Sequence, residues 1–493
     1  MKKYYLIFFS LTINVLAQFG QNRVQYKDFT WQYIQTKHFD IYFSDAGTTA
    51  AEFIANVAED ALENIQQHFD YQINNRISLI VYNSHNDFTE TNTTDSYLGE
   101  GIGGFTEPFK NRVVFPFEGS YNKFEHVVHH ELVHAVMRDM LYGGTVQNII
   151  SKGITLQLPI WMHEGLSEFI SSNWETNSDQ FIRNAIINEF LPDINQLDGY
   201  FAYRGGQALF RYIAKKYGKE KIAEIIKKIK STNSYEDGIK AAIGLSIDEL
   251  NERWKKDLKI EYWPDIANRK EPDDFANRIT DNKKIGGFYN TSPAISPNGD
   301  KLVFISDRDI FLDVYILDLK DKEKVRRIVK SGMTNEFEEL NVLFPTLTWS
   351  PDNKHIALSL KSGGYDVINI INTETEDSEE LPFKLDGIES VSWSPDGKYL
   401  AFTGANAKQS DIYLYDFVNK KLINLTDDIF SDSDPTWSSN SEVIFFSSDR
   451  KNFLKKSDLP QDFLIWQHDY NQLDLYSIKI DGLEINRLTN WPY

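Results

Sequence analysis

Apolar and polar positions alternate from Phe29 to Phe43, FTWQYIQTKHFDIYF, the period of one or two half-buried strands. The period then lengthens. Thr49 to Phe69 carries apolar residues three and four apart and reads as a helix, and ISLIVYN at 77–83 returns to a strand. Gly101 to Gly104 introduce FTEPFKNRVVFPF, a strand whose prolines, Pro108 and Pro116, suit the edge of a sheet. Residues 122–142, NKFEHVVHHELVHAVMRDMLY, read as a helix: Asn122 supplies a cap, Glu125 stands three residues on as in a capping box, and Gly143-Gly144 ends the run. A second helix is expected near 160–172. From about Tyr203 to Lys259, segments such as FRYIAKKYG and EKIAEIIKKIK set apolar faces against lysine-rich ones, and Lys227, Lys228 and Lys230 form a solvated helix face.

The pattern breaks after residue 263. Residues 264–287 are polar, charged and without period, and read as a linker. Beyond them the chain repeats itself: ISPNGDKLVFIS, WSPDNKHIALSL, WSPDGKYLAFTG and WSSNSEVIFFSS begin their turns at Ser296, Ser350, Ser394 and Ser438, spaced by 54, 44 and 44 residues. Each is followed by a second marker, at Asp313-Val-Tyr315, Asp366-Val-Ile368, Asp411-Ile-Tyr413 and Asp474-Leu-Tyr476. A turn, an alternating strand, a loop and a second strand at this period are the mark of propeller blades.

Composition narrows the picture. A hydrophobic fraction of 41% with 14% aromatics is that of a globular chain, and 493 residues exceed a single core. The first 17 residues, with Lys2 and Lys3 before an apolar run to about Leu16 and a small residue at Ala17, read as a cleaved secretory signal. No other stretch is long and apolar enough for a membrane helix, so no integral membrane segment is expected after cleavage. The absence of cysteine excludes disulfides and lipid attachment at a signal-peptide cysteine. A net charge of −20, which the loss of Lys2 and Lys3 takes to −22, argues against nucleic acid as a partner.

The candidate chemistry sits on the 122–142 helix, as His130-Glu131-Leu132-Val133-His134. At 100° per residue the two histidines lie about 40° apart on adjacent turns, so both reach one ion. Glu131 is about 60° from His134, off the metal and near a metal-bound water, where a general base must stand. A pentapeptide of this kind arises by chance roughly once in a hundred chains of this length, so a second feature must support it. LPIWMHEGLSEF, residues 158–169, supplies one: Glu164 and Glu168 share a helix face, one to ligate the metal and the other to accept a ligand histidine's spare N–H. His126, on the same face as His130, is a weaker alternative ligand, His129 points away, and His163 is a candidate substrate contact.

HELVH followed by a W-x-x-E-G-[LF]-[AS] segment resembles the gluzincin metallopeptidases of the MA clan, in particular the bacterial peptidase-MA-like domains, over roughly residues 24–260. The resemblance implies a zinc ion held by His130, His134 and Glu164, Glu131 as base, and Glu168 as the acidic group behind a ligand histidine. It also implies a tyrosine or histidine donor on the later helical region, for which Tyr203 is the candidate, ahead of Arg204 and Tyr200. Clan aminopeptidases bind the substrate amine with a Gly-x-Met-Glu-Asn segment; GGFTEP, with Glu107, lacks it, which favours endopeptidase action, with Arg112 to Phe117 as an edge strand receiving extended peptide. The repeats resemble the TolB-like propeller family over residues 288–493. Four blades are fewer than its usual six, and a bare sheet edge favours continuation in a longer protein over an open propeller.

The expected architecture is therefore multidomain, an α+β zincin-type metallopeptidase domain (24–263) and an all-β propeller (288–493) joined by the 264–287 linker. The expected function is an exported zinc metallopeptidase of the periplasm or cell surface acting on a peptide or protein substrate, with a protein partner on the propeller. The alternative is a cell-envelope scaffold whose propeller carries the function and whose metal site is vestigial.

Overall fold

The computed structural model describes residues 26–94, 98–107, 112–143, 156–270, 272–281, 287–321, 324–331, 337–481 and 484–490. The signal reading of residues 1–17, Pro108 and Gly144 lie outside them. The N-terminal half is built on one five-stranded sheet, β1 (Gln32–Gln35), β2 (Phe39–Phe43), β3 (Ile77–Tyr82), β4 (Phe105–Thr106) and β5 (Arg112–Pro116), in the order β1-β2-β3-β5-β4. The three middle strands run parallel and both outer strands are antiparallel. Phe39 and Ile41 of β2, Leu79 and Val81 of β3, and Val113 and Phe115 of β5 are fully buried against helix α1 (Thr48–Phe69). Its Phe53, Ile54, Ala58, Leu62 and Ile65 recur at helical spacing.

Strand β5 is thus interior, a correction to its reading as an edge. The edge is the two-residue β4, delivered by the glycine run that precedes it; Gly104 is tightly packed, since a Cβ there would stand 3.1 Å from both the Val114 carbonyl oxygen and Cγ of Glu131. Two residues carry no period, so the alternation of the sequence could not reveal this strand.

A short helix α2 (His85–Thr89) follows β3, and helix α3 (Tyr121–Tyr142) crosses the sheet. Its cap is Ser120, whose hydroxyl accepts the Lys123 amide, rather than Asn122, which lies inside the first turn and donates to Asn471. Gly143, at φ 76°, ends it as expected. Val128, Leu132, Val133, Val136 and Met137 embed α3 in the core, so only the stripe bearing His126, His130, Glu131 and His134 is left for chemistry. Helices α4 (Ile160–Ser171), α5 (Thr176–Ile187), α6 (Tyr200–Tyr217), α7 (Glu220–Thr232), α8 (Tyr235–Ile243) and α9 (Ile247–Tyr262) follow among the described residues of this half.

From Asn290 onward the chain is β-sheet. Four antiparallel meanders follow: β6 to β9 (Asn290–Ile295, Lys301–Asp309, Phe311–Asp318, Val325–Val329); β10 to β14 (Glu339–Leu340, Leu347–Trp349, His355–Ser362, Tyr365–Asn372, Ser378–Glu380), where β10 and β11 share β12; β15 to β18 (Gly387–Trp393, Tyr399–Ala405, Ser410–Asp416, Lys421–Asn424); and β19 to β22 (Asp432–Trp437, Val443–Ser448, Asp474–Lys479, Ile485–Arg487). Each serine marker closes the same turn, its amide donating to the carbonyl of Lys301, His355, Tyr399 or Val443. Three residues after each serine the backbone is left-handed, at Gly299, Asn353, Gly397 and Ser441. The aspartate markers are buried; Asp313 accepts from the Ser331 amide and Asp411 from the Asp428 amide at the end of their own blades, and Asp366 from the Ile388 amide at the start of the next. Successive sheets pack face to face through Val303, Ile305 and Trp349, then Ile368, Ile388 and Phe402, then Ile412, Ile444 and Tyr476. This is a propeller architecture.

Candidate metal centre

Helices α3 and α4 face each other with opposite chain direction, since Glu164 meets His130 and His134 while Glu168 meets His126 and His130. Nε2 of His130 lies 3.2 Å from Nε2 of His134, and Oε2 of Glu164 lies 3.1 and 3.3 Å from them. Ligands at bond lengths of about 2.0–2.1 Å in tetrahedral array stand about 3.3 Å apart, so these atoms are spaced to hold one small cation. Their other ring nitrogens are occupied: Nδ1 of His130 is 3.1 Å from Oε1 of Glu168, and Nδ1 of His134 is 3.3 Å from the Ser167 hydroxyl. Both imidazoles therefore turn Nε2 toward the shared point. The donor set fits a metal.

His126, His130 and Glu168 form a second possible trio. It is the poorer one. The Glu168 carboxylate also takes a 2.6 Å hydrogen bond from Nη1 of Arg204, and none of the three residues of this trio lines the cleft, whereas His134 and Glu164 of the first trio do. Arg204 thus anchors Glu168, a role the sequence did not suggest. Burial raises the acids of Glu164 and Glu168, but the hydrogen bonds from their histidines outweigh it and hold both carboxyls well below the usual range. Conversely, burial lowers the His130 imidazole, and Glu164 and Glu168 overcome this and push it up to about 10.

Glu131 is buried beside the trio, one carboxylate oxygen accepting from the Thr106 hydroxyl at 2.8 Å. Thr106 belongs to edge strand β4 and was missed for the same reason as the strand. Tyr203, from α6, stacks on His130 with ring centres 6.0 Å apart and planes 19° from parallel. Burial, with the Glu164 and Glu131 carboxylates beside it, raises its phenol, which stays a donor. His163 lies 6.2 Å from the His134 ring, and burial lowers its imidazole to about 3, so it is neutral. These groups line an open cleft of about 310 Å³, with Gly104, Phe105, Thr106, Glu131, His134, Arg138, Leu158, Ile160, Glu164 and Tyr203 on its walls. Tyr200 is exposed and braces Arg204. Glu107 lies outside the trio, holding Nη2 of Arg112 with both carboxylate oxygens.

A sheet with a short edge strand, a helix pair carrying two histidines and a glutamate at ligand spacing, and a buried carboxylate beside them make a metallopeptidase-like fold. Residues 57–260 match the family model described as the Peptidase MA superfamily. The β-rich C-terminal part is similar to TolB proteins: the Tol-Pal system protein TolB of Ruthia magnifica subsp. Calyptogena magnifica is 39% identical over 82 residues, 16% of this chain and 19% of that protein. The chain thus spans less than a fifth of that relative. Among solved structures, TolB from Acinetobacter baumannii is 21% identical with a TM-score of 0.32 over 41% of this chain and 43% of its own. The β-propeller domain of the Trilobed protease from Pyrococcus furiosus is 16% identical with a TM-score of 0.27 over 41% and 57%. The four sheets themselves, rather than these likenesses, define the propeller.

Proposed function

We propose that the chain is an exported zinc-dependent peptidase that cleaves within polypeptides, its propeller receiving a protein partner or presenting substrate. The observation that carries this reading is the convergence of Nε2 of His130, Nε2 of His134 and Oε2 of Glu164 at ligand spacing in an open cleft, beside Glu131. Zinc bound by these three residues would supply Lewis acidity and lower the pKa of a bound water. Glu131 takes the water's proton and returns it to the leaving amine, with the Thr106 hydroxyl fixing one of its oxygens. The Tyr203 phenol donates to the oxyanion that forms at the scissile carbonyl. Glu168 and Ser167 hold the two imidazoles in the ligating tautomer.

Action within chains rather than at an amino terminus is supported by Glu107, whose carboxylate is engaged by Arg112 and offers nothing to a substrate amine. Export is supported by the sequence of residues 1–17. Among the described residues no helix is long and apolar enough to cross a membrane. The test is bound metal, by elemental analysis, together with cleavage of an unfolded protein by the wild type and by Glu131→Gln. The expected result is stoichiometric zinc in both and a cleavage rate at least about 10²-fold lower in the variant. Equal cleavage by both, or zinc retention without cleavage by either, would overturn the reading.

A further inference from the structure

Arg138 stands one helical turn beyond His134 and lines the same cleft as Glu131, His134 and Glu164. Its Nη1 donates to the carbonyl oxygen of Thr106 at 2.5 Å. In the β4–β5 register Thr106 faces Val113 while the Glu107 amide donates to Arg112, so the Thr106 carbonyl points to the open side of the edge strand. The guanidinium consequently sits on the outer rim of β4, along the path of any peptide laid beside it.

Among the described residues this cation has no counter-ion in contact: no carboxylate lies within 4.0 Å of it. The other partly buried arginines of this half behave differently: Arg112, Arg183, Arg204 and Arg211 each hold a carboxylate. The nearest acids in the cleft are committed elsewhere, Glu131 to Thr106 and Glu164 to the histidines. A guanidinium carries five N–H donors in a planar fork that matches a carboxylate, and leaving it partly desolvated without one is costly.

We infer that Arg138 receives a carboxylate of the substrate, so that the cleft favours peptides that present one near the scissile bond. The inference rests on the peptidase reading above. The carboxylate has two sources, an Asp or Glu side chain near the scissile bond or the substrate's own C-terminus, and the recognition chemistry is the same for both.

Three fluorogenic peptides separate them: one with an internal glutamate and an amidated end, its glutamine counterpart, and the glutamine peptide with a free C-terminus. Cleavage by the zinc-loaded full chain is expected to favour one of the two carboxylate-bearing peptides over the amidated glutamine peptide by about tenfold to a hundredfold in kcat/KM. Which of the two is favoured names the source. Arg138→Gln should bring that ratio to within about twofold of one, and Arg138→Lys should restore part of it. Binding is read separately, by calorimetry of the same peptides on the Glu131→Gln protein with and without Arg138→Gln, so the answer does not depend on turnover or on the folding of one variant. Equal kcat/KM and equal affinity for all three peptides on the wild-type Arg138 background would overturn the inference while leaving the peptidase reading standing. Absence of cleavage with preserved preference in binding would overturn the peptidase reading alone.

Discussion

At the scale of single residues, the centre is held by groups whose own bonds are fixed. Glu168 sits between His130 and Arg204, at 3.1 and 2.6 Å, so one buried carboxylate orients the His130 imidazole and is itself oriented. Glu168→Gln keeps the volume but weakens both bonds, and metal affinity should fall about 10- to 100-fold, measured by competition with a chromogenic chelator. Thr106→Val is the complementary change. It preserves shape and removes only the hydroxyl that holds Glu131, so kcat should fall about tenfold, the worth of one hydrogen bond, with metal content unchanged. A loss of bound metal in Thr106→Val would show instead that the hydroxyl acts through His130, His134 and Glu164.

At the scale of elements, the site depends on how closely α4 and α6 approach, because one carries Glu164 and Glu168 and the other Tyr203 and Arg204. The approach is made by two glycines: a Cβ on Gly165 would stand 2.3 Å from Cα of Gly206, and one on Gly206 would stand 2.4 Å from the Trp161 carbonyl oxygen. These are backbone atoms that cannot swing aside. Gly165→Ala should therefore destabilise the fold by about 1–3 kcal/mol, read from the urea midpoint, and lower the affinity of the candidate centre for a metal as the helices separate. The helix Tyr121–Tyr142 and the approach of Glu164 to its histidines were legible because helical period and motif spacing agreed on the same residues. Thr106, Ser167 and Arg138 were not, since their importance comes from what a two-residue strand and a helix crossing bring near them. Asn122 likewise read as a cap by residue type, although Ser120, equally apt, takes the place.

At the scale of the whole molecule, the propeller and the helical half share a surface whose polar groups come from both. The insert between β20 and β21 buries Ile465 and Tyr470 in the helical core, where Tyr470 packs edge-on to Phe53. Tyr121 donates to the Lys408 carbonyl, and the Ser410 amide donates to Gly119. The repeats announced the blades, but no periodicity marks a docking insert. Between the halves lies a cavity of about 60 Å³ lined by Glu100, Glu118, Glu339, Lys361, Asp366 and Glu389 among others. Burial, chiefly, pushes Glu100, Glu118 and Glu389 up to about 7 from an ordinary 4.5, with the Glu100 rise opposed by the amides of Val342 and Leu343 and that of Glu389 opposed by Lys123.

The sign of the resulting pH dependence follows from which state releases its protons first. Below about pH 4.5 both folded and unfolded chains hold these three protons, and the stability the groups contribute is fully present. Between about 4.5 and 7 the unfolded chain gives them up while the folded chain retains them, so that stability is lost as pH rises, and above about 7 the loss is complete. Replacing the two carboxyls that face the cavity from opposite halves, as Glu118→Gln with Glu389→Gln, removes their share of the slope. The double variant should therefore gain on the wild type in thermal midpoint as pH is raised from 5 to 8, with hydrogen exchange at the Gly119–Ser410 contact slowing in parallel. A midpoint difference that stays constant across this range would mean that the two carboxyls titrate alike in the folded and unfolded chains, and that the cavity places no acid-stabilised contact between the halves.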